Sequence, residues 1–129
     1  MKQKANFSAL LGATLRHIEG GKGDEVMTFT LSDGRSMQLY HEQDCCEEVH
    51  VEDICGDLDD LINSPIVMAE CVSSSKGDPK PKYPDSWTWT FYKLATAKGF
   101  VTIRWLGESN GYYSEEVDCC WLNQELGDK

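Results

Sequence analysis

Ser86-Trp87-Thr88-Trp89-Thr90-Phe91-Tyr92 and, beyond a Lys98-Gly99 turn, Val101-Thr102-Ile103-Arg104-Trp105 alternate bulky apolar residues with threonine or arginine. A repeat of two belongs to a strand and not to a helix. The two runs are therefore expected to pair as a hairpin, with Trp89 and Trp105 in the core. A lone hairpin cannot bury its face, so more strands and a second layer must exist elsewhere in the chain.

The flanking sequence supplies them. Val26–Leu31 sets Met27, Phe29 and Leu31 on one side, Asp33-Gly34 is a strong hairpin signal, and Ser36–His41 returns with Met37 and Leu39 inward. Weaker strand patterns occupy Ala13–Glu19, with Ala13, Leu15 and His17 on one side, then Glu48–Val51 and Ile66–Val72. A last strand is expected from about Tyr112 to Trp121, entered through the Asn110-Gly111 turn. Gly56–Pro65 reads as one short helix, capped by Asp57, with Leu58, Leu61 and Ile62 on one face and Pro65 as the stop. Ser73–Asp85 is rich in Ser, Gly, Pro and Lys and is expected to be a loop. The expected fold class is mostly β (α+β). It is an antiparallel meander of seven or eight strands, curled or packed over one short helix, forming a single domain over 1–129 with an exposed loop at about 73–85.

The 129 residues carry a formal charge of −10. A surface of that sign repels nucleic acid and anionic lipid, so neither is expected as a direct ligand, whereas a basic protein fits. No apolar run approaches the ~20 residues of a membrane span. The opening Met1-Lys2-Gln3-Lys4-Ala5-Asn6 is not expected to be a signal peptide. Without a secretory signal, the six cysteines are expected to be reduced thiols in a cytoplasmic protein.

Tyr40-His41-Glu42-Gln43-Asp44-Cys45-Cys46-Glu47 resembles a stretch found in a family of small uncharacterised proteins of tailed phages and prophages. The Gly56-Asp57-Leu58 segment, Ser86–Tyr92, and Glu108-Ser109-Asn110-Gly111-Tyr112-Tyr113-Ser114-Glu115 are similar to the same family, so the resemblance spans about residues 9 to 118. It implies a phage setting and the cytoplasm of a host cell, and no particular activity. Asp118-Cys119-Cys120-Trp121 departs from the shared pattern.

Charge is segregated. Between Ser36 and Ser75 there is no Lys or Arg, while Glu42, Asp44, Glu47, Glu48, Glu52 and Asp53 crowd one short stretch. Such a run is either a solvated face or an interaction surface whose carboxylates stand in for DNA phosphates in a basic groove. With Asn110, Tyr112 and Tyr113 at a turn, these six acids form the expected partner-binding set. Tyr92 is a further candidate for an exposed contact.

His41, Cys45 and Cys46 suggest the alternative, a metal- or small-ligand-binding protein. The spacing is poor for zinc, because neighbouring side chains on a strand point to opposite faces. One thiol of each Cys-Cys pair is better read as a small core hydrophobe. A catalytic set of His41, Asp44 and Cys45 can be assembled, but there is no phosphate loop, His-Glu-x-x-His or nucleophile elbow, and an enzyme is not expected. No cofactor is expected. The reading is a phage-type acidic protein that inhibits a host defence complex, a CRISPR effector or nuclease, by occupying a basic surface of that protein or nucleoprotein.

Overall fold

The computed structural model describes residues 2–43, 46–74, 86–109 and 114–122. Among them are nine strands: β1 (Lys2–Lys4), β2 (Leu15–Glu19), β3 (Val26–Leu31), β4 (Ser36–Tyr40), β5 (Glu48–Cys55), β6 (Met68–Ser74), β7 (Ser86–Thr96), β8 (Gly99–Ser109) and β9 (Asp118–Leu122). They form two antiparallel sheets, ordered β1-β9-β4-β3-β2 and β5-β8-β7-β6. The mostly-β expectation holds, but the chain is no simple meander. β9 returns to lie between β1 and β4, and β5 pairs with β8. No helix of the described residues is long and apolar enough to cross a membrane.

The core lies between the sheets. Met27, Phe29 and Leu31 of β3 and Met37 and Leu39 of β4 face Val49 and Val51 of β5, Tyr92 and Leu94 of β7, and Val101, Ile103 and Trp105 of β8. Alternation dictates each inward set, and the Asp33-Gly34 turn between β3 and β4 is tight because Gly34 takes φ +98° without a Cβ penalty. Phe7 closes one side of the sandwich. Its ring meets Tyr92 of one sheet at 4.6 Å and Phe29 of the other at 6.4 Å, both edge-on.

Several expectations are corrected. The short helix is a single 3-10 turn, Leu58–Leu61. Asp57 does cap it, accepting from the Asp59 N–H, but the chain leaves at once through left-handed Asn63 (φ 63°). A second 3-10 turn, Phe7–Leu10, had no pattern to announce it. In β2 a bulge between Leu15 and His17 breaks the alternation, so Leu15 is buried while His17 is exposed. Ser73 and Ser74 belong to β6 and not to a loop; positions 75–85 lie outside the described residues.

On β7 the inward face is Thr90, Tyr92 and Leu94, so Tyr92 is a core residue, 2% exposed, and not a surface contact. Trp89 is also 2% exposed, but it lies on the opposite face, opposite Leu106 and beneath the Arg104 guanidinium, 4.9 Å from the ring centre.

Candidate acidic cleft

β4 ends at Tyr40, and the next residues turn into a cleft of about 600 Å³ beside the start of β5. Its walls include Glu25, Tyr40, His41, Gln43, Glu47 and Glu48, and no Lys or Arg lines it among the described residues. His41 anchors the floor. Its Nδ1 lies 2.7 Å from the Glu116 carbonyl and its Nε2 lies 2.7 Å from Oε2 of Glu47. The two side chains are 4% and 0% exposed.

A backbone carbonyl can only accept, so Nδ1 carries a proton, and the remaining proton is shared between Nε2 and the carboxylate. Burial alone would pull the imidazole toward the neutral form. The Glu47 carboxylate and the Glu116 carbonyl outweigh it, and the His41 pKa is raised above its ordinary value. Gln43 fixes the loop by donating Nε2–H to the Glu47 carbonyl at 2.7 Å, and the Glu42 N–H donates to Asp118 Oδ2 at 2.9 Å. A segment with little regular structure is thus tied to β9 and to the irregular stretch that leads into it.

At the mouth the arrangement inverts. Glu48 opens β5 exposed, and its direct cross-strand partner on β8 is Glu108. Neither forms an ion pair among the described residues. Burial first, then the Glu48 charge and that of Glu115, push the Glu108 carboxyl above the usual range, with His50 opposing them. Directly opposed like charges on neighbouring strands destabilise a sheet. Behind them Glu115 is buried, accepting from Thr88 Oγ1 at 2.7 Å and Ser109 Oγ at 2.5 Å. Gly107 is the residue that permits this: any Cβ there would strike the Glu115 backbone.

The six expected partner-binding acids therefore divide. Glu42 and Glu48 are exposed, and Asp53 is half-buried in a β5 bulge opposite Arg104. Glu52 is taken up by Arg104, whose Nε donates to Oε1 at 2.8 Å and whose Nη2 reaches the same oxygen. Glu47 is a correction: it is 4% exposed and committed to His41, so it cannot meet a partner. Asp44, Asn110, Tyr112 and Tyr113 lie outside the described residues, as does Cys45.

Two of the three residues named for the metal alternative are engaged, while Cys45 lies outside the described residues. Both His41 nitrogens face acceptors, and Cys46 is disulfide-bonded. The expectation that every thiol is reduced is thereby corrected at Cys46, while Cys55, Cys71, Cys119 and Cys120 are not in disulfides. Cys120 is buried as a small hydrophobe should be, and burial pushes the Cys119 thiol up to about 12, which leaves it unreactive. Sequence reasoning missed Glu25 as a wall residue and Glu108 as the partner of Glu48, because both placements depend on the tertiary fold and not on spacing.

The chain belongs to the DUF7448 family, a domain of unknown function, whose model matches residues 8–119. No curated protein and no solved structure matches it.

Proposed function

We propose that this member of the DUF7448 family is an acidic binding protein that engages a basic surface of another macromolecule. The mouth of the cleft takes a guanidinium or ammonium side chain from that partner. In the phage setting suggested by the sequence resemblance, the partner is a host defence protein or nucleoprotein, a nuclease or CRISPR effector, held inactive by occupation of its nucleic-acid groove.

The observation that carries this reading is Glu48 set directly against Glu108, with Glu25 on the wall beside Glu48 and none of the three in an ion pair among the described residues. The same fold neutralises Glu52 with Arg104 and Glu47 with His41. Carboxylates left uncompensated beside two that are compensated make the mouth a place for a cation to arrive from outside.

A fluorescent deca-arginine peptide is the probe. Affinity of the parent for it should fall as salt rises, and the triple variant Glu25→Gln, Glu48→Gln, Glu108→Gln should bind more weakly with a shallower salt dependence. A second triple variant, Glu19→Gln, Asp59→Asn, Glu70→Gln, removes the same charge elsewhere. Equal losses in the two variants would sink the assignment to the cleft. The inhibitor reading has its own test, plating efficiency of a restricted phage on hosts that express the protein. A rise in efficiency supports it, and no rise on any host carrying a nuclease or CRISPR defence overturns it.

A further inference from the structure

β7 is bulky on both faces, and the second layer covers only one of them. Its inward residues Thr90, Tyr92 and Leu94 are buried, whereas the outward Phe91 and Ala95 are only half-buried. Strand pairing widens the outward surface. Val72 of β6 lies opposite Phe91, and Met68 of β6 and Phe100 of β8 flank Ala95. Directly paired residues share a face, so these five form one apolar surface on the outside of the sheet.

Two more apolar residues stand at its rim. The Val67 N–H is bonded to the Ala95 carbonyl, and Leu11 adjoins Gly12, whose N–H is bonded to the Ile66 carbonyl, both at 2.8 Å. Five large hydrophobic side chains are exposed among the described residues, and four of them are here: Leu11 52%, Val67 64%, Val72 45% and Phe100 51%. The outer face of an antiparallel sheet ordinarily carries polar residues, and apolar exposure gathered in one place marks an interaction surface.

The charges on this face say what fits it. Glu70 and Lys93 lie directly opposite each other between the Val72–Phe91 row and the Met68–Ala95 row. Neither forms an ion pair among the described residues, although Arg104 on the same face is taken up by Glu52. One unpaired acid beside one unpaired base, framed by apolar rows, is a surface complementary to itself.

We propose that this face packs against the same face of a second copy of the chain, about a two-fold axis running between β6 and β7 and roughly parallel to them. The two sheets then stack about 10 Å apart. Such an axis exchanges the two strands, so Glu70 of each copy meets Lys93 of the other, Val72 meets Phe91, and Met68 meets Ala95. Glu70 and Lys93 cancel, so two chains of charge −10 can approach here. Thr102, the β8 neighbour of Lys93, is six residues from Glu108. That separation is about 20 Å along the strand, beyond a Debye length of about 8 Å. The proposal is therefore independent of the acidic cleft.

Sedimentation of the full chain from micromolar to millimolar concentration should show a monomer–dimer equilibrium. Glu70→Lys or Lys93→Glu alone sets like charges together across the interface and should raise the dimer dissociation constant at least about tenfold. Mixing the two single variants restores both contacts between unlike copies and neither within a chain, so a heterodimer close to the parent in affinity is expected. That recovery separates pairing between copies from the nearness of Glu70 and Lys93 inside one sheet. A parent that stays monomeric throughout, single variants that dimerise like the parent, or a mixture no tighter than its components overturns the proposal. Should a charge variant fail to fold, Phe100→Ser decides: a dimer at least about tenfold weaker supports the face, and an unchanged dimer overturns it.

Discussion

The core and the acidic cleft spend the same kinds of residue in opposite ways. In the core every bulky side chain meets another: Trp105, Tyr92, Phe29 and Leu94 are almost wholly buried, and their neighbours fill both sheets' inner faces. At the cleft, buried His41 and Glu47 satisfy each other, yet one residue further on Glu48 is left opposing Glu108. A region shaped only for stability would not retain that second pair. The contrast teaches where to look for function. Substitutions in the core should lower stability, those at the cleft floor should lower it in a pH-dependent way, and those at the mouth should raise it.

The largest effect belongs to the core. Trp105→Ala removes a side chain fully enclosed between the sheets and should cost about 3–5 kcal/mol. Trp89→Ala should cost less, because Trp89 lies outside the core cluster and Arg104 covers one of its faces. Denaturant titration of both variants checks the order. Equal losses would mean that the outer face of β7 is packed as a second core.

That pair also marks how far the sequence could be read. Met27, Phe29 and Leu31, or Val101, Ile103 and Trp105, have polar or small residues between them, so one face alone can be apolar and the inward side is legible. On β7 both faces are bulky: Trp87, Trp89 and Phe91 on one, Tyr92 and Leu94 on the other. Period two then establishes a strand without saying which face is inside, and the tryptophans attract the wrong choice. The cleft was less legible still. Its acids could be seen as a run, but the run does not tell that Glu47 turns inward to a histidine held by a carbonyl 75 residues away, or that Glu108 arrives beside Glu48. Long-range pairing sorts equal residues into buried and exposed roles.

The next effect in size is at the cleft floor. His41→Gln removes the proton that Glu47 shares and should cost about 1–3 kcal/mol near pH 6. The sign with pH follows from the raised His41 pKa. A histidine that binds its proton more tightly when folded contributes stability that is full below its ordinary value of 6.5 and is lost as pH rises through the folded pKa. The stability gap between parent and variant should therefore narrow from pH 6 toward pH 9. A gap that widened over that range would mean the pair is held in the neutral form.

The smallest effect is the most diagnostic, because it has the opposite sign. Glu48→Gln removes one of two carboxylates directly opposed across β5 and β8, and relief of a like-charge cross-strand pair should stabilise the fold by about 0.2–1 kcal/mol at pH 7. Glu108→Gln should do the same. Because the Glu108 pKa is raised in the folded state above 4.5, folding favours its protonated form, so its ionisation costs stability at neutral pH and that cost disappears as pH falls below 4.5. The gain from either substitution should accordingly be present at pH 7 and absent at pH 4. Glutamine keeps the size and polarity of the side chain, so packing changes little between the two conditions. Thermal melts of parent and variant at both pH values make the comparison. Destabilisation at pH 7 would show that Glu48 and Glu108 hold the sheet together through groups other than each other. The mouth would then be one more satisfied part of the scaffold, and a cation from a partner would have no unmet charge to answer.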